Sequence, residues 1–184
     1  MSPETGETAA APTLAPALAP IGVLVPSQLG LLGVEFVGSS ISAIVFGPAG
    51  RDRKRFTPFA DFEDSEYLDE VFGRISEFLS GARRALDLDY DLGPSGLDSF
   101  ARRVLKETAR TPYGKTRTYK DIADSSGRPE AYRQVVSVLA ANPLPLILPC
   151  HRSVPSKGGL GDYVGGAQRK RWLLKLERDN SPLL

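Results

Sequence analysis

Glycine, serine and proline divide an apolar segment near the start of the chain into short pieces. This segment, IGVLVPSQLGLLGVEFVGSSISAIVFGP, runs from Ile21 to Pro48 and is rich in valine, isoleucine and phenylalanine. Short runs of such residues, interrupted by turn-forming residues, are typical of strands joined by tight turns. The segment therefore predicts two or three short antiparallel strands.

An amphipathic helix is predicted next. In DSEYLDEVFGRISEFLSGARRALDL the apolar residues recur at helical spacing, and Gly81 can cap the end of the helix. These residues are Tyr67, Leu68, Val71, Phe72, Ile75, Phe78 and Leu79. LDYDLGPSG (88–96) then predicts a strand followed by a loop, and we place a domain boundary there.

The second half of the chain predicts mainly helices. Residues 95–111 have helical periodicity and are followed by Pro112. Thr118 and Asp121 have the spacing of a capping box, and Gly127 suits the turn between that helix and another over about residues 130–140. A helix, a short turn with glycine and a second helix are typical of a helix-turn-helix.

A last helix is predicted over residues 167–180, so the expected fold class is α+β. We expect a small N-terminal α/β domain with antiparallel strands and a mainly helical C-terminal domain with the helix-turn-helix. The predicted divisions are a disordered tail over 1–20, the β-rich domain over 21–92 and the second domain over 93–184. The tail prediction is based on its alanine, proline and threonine without pattern.

The second helix of the predicted helix-turn-helix has two faces. One is apolar, and the other carries Arg133, Ser137, Ala140 and Ala141. A small surface with one long cation can approach nucleic acid closely and insert that side chain. The same face could instead pack against another helix with Arg133 at its rim, and spacing alone slightly favours this second interpretation.

Charge is distributed unequally along the chain. Residues 94–184 carry 16 Lys/Arg and 8 Asp/Glu, net +8, whereas residues 1–93 carry 7 Lys/Arg and 14 Asp/Glu, net −7. A basic half beside an acidic half suggests that only the C-terminal half faces a polyanion. Charges spread over all faces for solubility would give the same totals.

Cysteine and histidine occur once each, as the neighbours Cys150 and His151 in ILPCHRSVP. A disulfide within the chain is therefore excluded, and a structural zinc site, which needs four such ligands, is not expected. We expect no metal and no cofactor. A lone cysteine, no signal sequence and no apolar run of membrane-spanning length fit a cytoplasmic protein without membrane attachment.

The pair Cys150–His151 is either a reactive centre or a buried thiol beside a polar residue. The run LPLILPC predicts an extended, strand-like segment that delivers Cys150 to a buried position. Burial alone makes a thiol inert, and neighbours on an extended chain point in opposite directions. Arg152 is expected to favour the thiolate, and five glycines in residues 156–166 suggest close approach to a ligand.

PCHR (149–152), with NP at 142–143 and GDYVGG at 161–166, resembles the active-site signature of the O6-alkylguanine-DNA alkyltransferases. The resemblance extends through PYGKTRTY (112–119), AYRQV (131–135) and WLLKLE (172–177). It covers roughly residues 96–178. The ordered set of motifs is far more specific than PCHR alone.

The resemblance implies direct-reversal DNA repair. An alkyl group passes irreversibly and stoichiometrically from O6-alkylguanine, and from O4-alkylthymine, in duplex DNA to Cys150 after base flipping. This is the activity of a methylated-DNA–[protein]-cysteine S-methyltransferase that acts once. The resemblance also implies binding in the minor groove through the helix-turn-helix, as a monomer, with cooperative binding left open.

In this family the acceptor thiolate corresponds to Cys150, and the base that deprotonates it through a water corresponds to His151. Glu177 corresponds to the carboxylate that orients the histidine. Asn142 corresponds to the residue that links the two active-site segments. Tyr119 corresponds to a tyrosine that crowds the target phosphate and can donate to the flipped base.

Toward DNA, the resemblance implies that Arg133 fills the gap left by the flipped base and that Ser137 lies on the same contact face. Arg117 is an added cation near the phosphates. The substrate pocket is expected to include Tyr163, Val164, Pro145 and Lys170.

The chain also departs from the family pattern at one pocket position and at one position of the recognition helix. Val164 stands where a serine hydroxyl is frequent, so a backbone N–H must serve the leaving group. Val136 stands where glycine is common in the recognition helix. Three other functions are considered: a non-repairing alkyltransferase-like lesion-binding protein, a Cys-His hydrolase and a DNA-binding regulator. Cys150 argues against the first, because tryptophan usually replaces the cysteine there.

Overall fold

A four-stranded sheet forms the first part of the molecule in the computed structural model, which describes residues 19–62 and 65–181. Three strands form an antiparallel meander, and a fourth pairs in parallel with the first, giving the order β3-β2-β1-β4. The strands are β1 (Ile21–Ser27), β2 (Gly30–Val37), β3 (Ser40–Phe46) and β4 (Phe56–Pro58), with a one-turn helix α1 (Gly50–Arg53) before β4. The predicted strands are confirmed, and the short β4 is additional.

Helix α2 (Glu66–Ser80) covers one face of this sheet and confirms the predicted amphipathic helix. The Ser65 hydroxyl accepts from Leu68 N at its start, and Gly81 ends it with φ 82°. Glycine suits this left-handed cap because it has no Cβ. The inward residues are buried with the sheet in one hydrophobic core: Leu68, Val71, Phe72, Ile75, Phe78 and Leu79.

The strand predicted at the start of residues 88–96 is wrong. Only an isolated bridge joins Tyr90 to Ile41, followed by a 3₁₀ turn at Gly93–Ser95. Aspartates at 89 and 91 and the Gly-Pro that follows leave too few apolar side chains to extend the pairing. The division at residues 92/93 stays a prediction, and residues 1–18 of the predicted tail lie outside the described residues.

The second part of the molecule is mainly helical, which confirms the α+β fold class. Its elements are α3 (Ser99–Ala109), β5 (Arg117–Thr118), α4 (Tyr119–Ser125), α5 (Tyr132–Ala140), β6 (Ser153–Val154) and α6 (Gly166–Asp179). Strands β5 and β6 pair in parallel. No described helix is long and apolar enough to cross a membrane.

Helices α4 and α5 form the predicted helix-turn-helix. Thr118 and Asp121 make the capping box, each side chain bonding to the backbone of the other. Gly127 has φ 77° in the turn. A 3₁₀ turn at Pro129–Ala131 leads into α5, so the α-helix begins at Tyr132, two residues later than predicted.

The extended segment predicted before Cys150 is also wrong, because LPLILPC folds as a series of turns. Leu148 N donates to Leu144 O at 2.8 Å, and Leu146 has φ 78°. Pro145 and Pro149 have no backbone N–H to give to a strand. The run is nevertheless almost wholly buried, as its hydrophobicity indicated.

Candidate active site

Cys150 begins a 3₁₀ turn over Cys150–Arg152 and is only 2% exposed. Asn142 connects this turn to the end of α5. Its amide nitrogen donates to Leu148 O at 2.8 Å and to Cys150 Sγ at 3.1 Å, while its amide oxygen accepts from Leu144 N at 3.0 Å. The linking role expected for Asn142 thus has a geometric basis, with a donor aimed at the sulfur.

His151 and Glu177 form a buried pair, with Nε2 and Oε1 2.7 Å apart. Helix α6 supplies Glu177, which is 0% exposed. Gly114 N donates to Oε2 of the same carboxylate at 3.0 Å. Residues separated by 26 positions in sequence are therefore joined at the centre of the fold.

Arg152 completes this cluster by donating to both oxygens of Glu177. Its Nε lies 2.9 Å from Oε2 and its Nη2 2.9 Å from Oε1, while Nη1 donates to Thr111 O at 2.7 Å. From the sequence, the Arg152 charge was predicted to act on the thiol. In the structure Arg152 pairs with the Glu177 carboxylate instead, because a buried guanidinium needs an opposite charge beside it.

These contacts fix the protonation states of the pair. Burial lowers the pKa of His151, although Glu177 opposes this effect, so the imidazole is neutral near pH 7. Burial raises the pKa of Glu177, but His151 and Arg152 outweigh it and bring the pKa to about 2. Since a carboxylate only accepts hydrogen bonds, Nε2 carries the proton and Nδ1 the lone pair. Among the described residues no donor or acceptor reaches Nδ1.

The cation that acts on the thiol is Lys170. Burial raises the pKa of Cys150 to about 11, opposed by the hydrogen bond from Asn142 and the charge of Lys170. Lys170 donates to Ser153 O at 2.6 Å and to Asp162 O at 3.1 Å. Burial lowers the pKa of Lys170 to about 8, opposed by Cys150 and Asp162. With the sulfur buried in this way, the Cys150 thiol is protonated near neutral pH.

Two tyrosines flank the cluster. The Tyr119 hydroxyl donates to Asp162 O at 3.4 Å and lies 3.5 Å from Lys170 Nζ. Tyr163 is buried, and its ring meets the His151 ring edge-on with centroids 6.2 Å apart. Of the other predicted pocket residues, Pro145 is buried in the turn before Cys150, whereas Val164 is exposed.

The polar face of α5 points outward. Arg133, Ser137, Ala140 and Ala141 are all exposed, so this face does not pack against another helix. Arg133 lies over the ring of its neighbour Tyr132, 5.6 Å from the centroid. Tyr132 is 45% exposed and was not among the residues predicted from the sequence, although it stands directly beside Arg133.

A cleft of about 620 Å³ lies between α5 and the glycine-rich loop. Tyr119, Tyr132, Val136, Gly161 and Asp162 are among the residues that line it. Tyr119 and Asp162 also contact Lys170, so the cleft reaches from α5 to the surroundings of that lysine.

Arg117 lies apart from this face. Its guanidinium donates to Glu107 O, Asp121 O and Ser125 Oγ at 3.0, 3.2 and 2.7 Å, which braces β5 against α3 and α4. Its contact with phosphates stays a prediction. Within the described residues, no three His, Cys, Asp or Glu side chains are grouped as a metal site would need.

Fold and site together define a helix-turn-helix protein with a buried cysteine beside a histidine–glutamate pair. A family model described as "6-O-methylguanine DNA methyltransferase, DNA binding domain" matches residues 99–179. A methylated-DNA–protein-cysteine methyltransferase of Methanosarcina barkeri is 40% identical over 131 residues, 71% of this chain and 81% of that protein. The inducible enzyme of Bacillus subtilis is 34% identical over 150 residues, 80% of each chain. The chain belongs to the methylated-DNA–protein-cysteine methyltransferase family.

Solved structures agree with this assignment. The O6-methylguanine methyltransferase of Mycobacterium tuberculosis superimposes with a TM-score of 0.76 at 30% identity, covering 90% of this chain and 97% of that one. A structure of the M. tuberculosis protein in complex with DNA superimposes with a TM-score of 0.74 at 31% identity, covering 88% and 94%. The likeness thus extends to the N-terminal sheet.

Proposed function

We propose that this protein repairs DNA by moving the alkyl group of O6-alkylguanine to Sγ of Cys150. The observation that supports this most directly is the pair of adjacent buried contacts, Asn142 with the Cys150 sulfur and His151 with Glu177. Together these residues include the nucleophile, base and orienting carboxylate that an activated nucleophile needs. Family membership supports the same reaction.

The transfer is a single displacement. The thiol proton passes through a water to Nδ1 of His151, and Glu177 stabilises the imidazolium that forms. Sγ attacks the alkyl carbon, an S–C bond forms and the C–O6 bond breaks. Guanine leaves as an anion and accepts a proton, for which the Tyr119 hydroxyl is the proposed donor. The thioether is not hydrolysed, so each molecule acts once.

The target base must leave the duplex, since Cys150 is only 2% exposed. A reacting atom inside stacked DNA cannot reach such a thiol, and extruding the base costs a few kcal/mol. We assign α5 to the minor groove, with Arg133 in the vacated stack and Ser137 on the same face. Their exposure supports this role.

We also propose a substrate pocket, a second substrate, a cellular compartment and an oligomeric state. Tyr163, Val164, Pro145 and Lys170 are assigned to the pocket, and O4-alkylthymine is included as a second substrate. The protein is proposed to act in the cytoplasm as a monomer, with residues 21–92 and 93–184 as its two domains. The alternative is a lesion-binding protein that does not repair, and Cys150 argues against it because tryptophan usually replaces the acceptor cysteine in that class.

Intact-protein mass spectrometry tests the proposal. After incubation with duplex DNA containing O6-methylguanine, we expect a gain of one methyl group, about 14 Da, because the nucleophile keeps the group. The Cys150→Ala variant should bind the same DNA and gain nothing. An unchanged mass with the lesion bound would favour the non-repairing alternative, and multiple turnover would indicate a hydrolase.

A further inference from the structure

The N-terminal sheet reaches the active site through one aromatic side chain. The ring of Phe46, the last residue of β3, lies 5.8 Å from the ring of Tyr163. Tyr163 meets the His151 ring edge-on at 6.2 Å. The buried imidazole is therefore positioned from two sides, by Glu177 at Nε2 and by this row of rings.

A glycine makes the row possible. A Cβ on Gly165 would lie 2.6 Å from the Tyr163 ring and 2.8 Å from the Phe46 ring, far inside van der Waals contact. The φ of Gly165 is −85°, which any residue can adopt. Space rather than backbone conformation therefore requires glycine here, because a side chain would push the two rings apart.

Two further contacts hold the sheet against the site. Arg169, in the first turn of α6, donates to Leu29 O at 2.8 Å and to Gly165 O at 3.0 Å. Its guanidinium lies 5.3 Å from the centroid of the Phe46 ring. In addition, Ile44 N of β3 donates to Pro143 O at 2.8 Å, next to the Asn142 that donates to the sulfur.

We propose that the N-terminal sheet sets the reactivity of Cys150, with Phe46 as a positioning residue that holds His151 in place through Tyr163. A base must lie within hydrogen-bonding reach of the proton it takes, directly or through one water. Small displacements of such a group cost large factors in rate. The inference rests on the proposed function in taking His151 as the base.

Two variants test it, with a matched control. Phe46→Leu removes the ring contact, and Gly165→Ala separates the rings without changing Phe46. The control is Phe59→Leu, whose ring packs on Phe72 at 4.9 Å, away from His151. We would measure the single-turnover rate at saturating duplex, the Kd for that duplex and the NMR signals of the imidazole, which belong to the only histidine in the chain.

We expect both variants to slow the transfer step about tenfold and to move the His151 signals, with Kd unchanged within about twofold. Phe59→Leu should lose similar thermal stability but keep the rate and the signals. Unchanged rate and signals in both test variants would overturn the proposal. An equal slowing in Phe59→Leu would also overturn it, since general destabilisation would then suffice.

A separate readout distinguishes this inference from the proposed function. If the unmodified protein gains no methyl group from DNA, the proposed function fails. The rate at which iodoacetamide alkylates Cys150 still reports the state of the thiol. A rate that falls in Phe46→Leu and Gly165→Ala but not in Phe59→Leu, with shifted His151 signals, supports the inference. Equal rates and unshifted signals contradict it.

Discussion

The residues assigned to chemistry and those assigned to DNA differ most in their surroundings. His151 and Glu177 are fully buried. The carboxylate of Glu177 accepts hydrogen bonds from Gly114 N, His151 and Arg152. Arg133 and Ser137 are exposed on α5. The groups assigned to chemistry are hydrogen-bonded to one another without a substrate, whereas the face assigned to DNA is exposed to solvent.

This difference implies different consequences of substitution. Removing one member of a buried charged cluster leaves its partners buried with an uncompensated charge that water cannot reach. Such a substitution should therefore lower both stability and reactivity. Removing an exposed cation costs little in the free protein, so its effect should appear only when DNA is present. Both expectations can be tested separately.

The largest effect is expected for Glu177→Gln. Arg152 would remain buried opposite a neutral amide, and His151, Arg152 and Gly114 N would compete for one amide oxygen in place of two carboxylate oxygens. Breaking a buried ion pair costs about 3–5 kcal/mol, which urea unfolding would measure. Methyl transfer measured by mass should also become slow in the fraction that remains folded.

Glu70→Gln is the matched control for this substitution. Glu70 pairs with Arg74, but its side chain is 56% exposed. An exposed pair contributes at most about 1 kcal/mol, so this variant should unfold almost as the unmodified protein does. Similar losses of unfolding free energy in Glu177→Gln and Glu70→Gln would mean that burial does not determine how much an ion pair stabilises this protein.

Acid should weaken the same buried cluster. The pKa of Glu177 is about 2 in the folded protein against 4.5 ordinarily. Because the folded pKa is depressed, the stabilisation is complete above about pH 4.5 and disappears as the pH falls toward about 2. The difference in unfolding free energy between the unmodified protein and Glu177→Gln should shrink across this range. A constant difference would contradict it.

Much of this fold could be predicted because its signals are local. The strands of residues 21–46, the α2 periodicity and the Thr118–Asp121 capping box all depend on residues a few positions apart. The turns of residues 144–149 were missed because a continuous apolar run reports burial and not backbone conformation. Their shape is decided by Asn142 and by two prolines.

The site divides in the same way. Motif resemblance indicated that Cys150, His151, Asn142 and Glu177 act together, and the structure places them in two buried hydrogen-bonded pairs, Asn142 with Cys150 and His151 with Glu177. The partner of Arg152 was missed, because no local pattern connects it with a carboxylate 25 residues later. Contacts between distant segments, such as Arg169 with Leu29, leave no sequence signal at all.

A smaller effect, confined to DNA, is expected for Arg133→Ala. If this side chain occupies the stack vacated by the base, its loss should lower the reaction rate with duplex about tenfold to a hundredfold, because extrusion costs a few kcal/mol. Reaction with free O6-benzylguanine should be unaffected. Arg51→Ala, an exposed arginine in α1, serves as the control. Equal losses on duplex and free base would contradict the insertion of Arg133 into the vacated stack.

The smallest effect is expected for Val164→Ser, at the boundary between the two regions. Val164 is exposed beside the buried Tyr163, so the substitution leaves the core intact. A hydroxyl here could donate to O6 of the leaving guanine, and one such bond contributes about 0.5–1.5 kcal/mol. The single-turnover rate with O6-methylguanine should rise about two- to tenfold, with duplex affinity unchanged. A change in affinity without a change in rate would place residue 164 with the DNA-binding face rather than with the pocket.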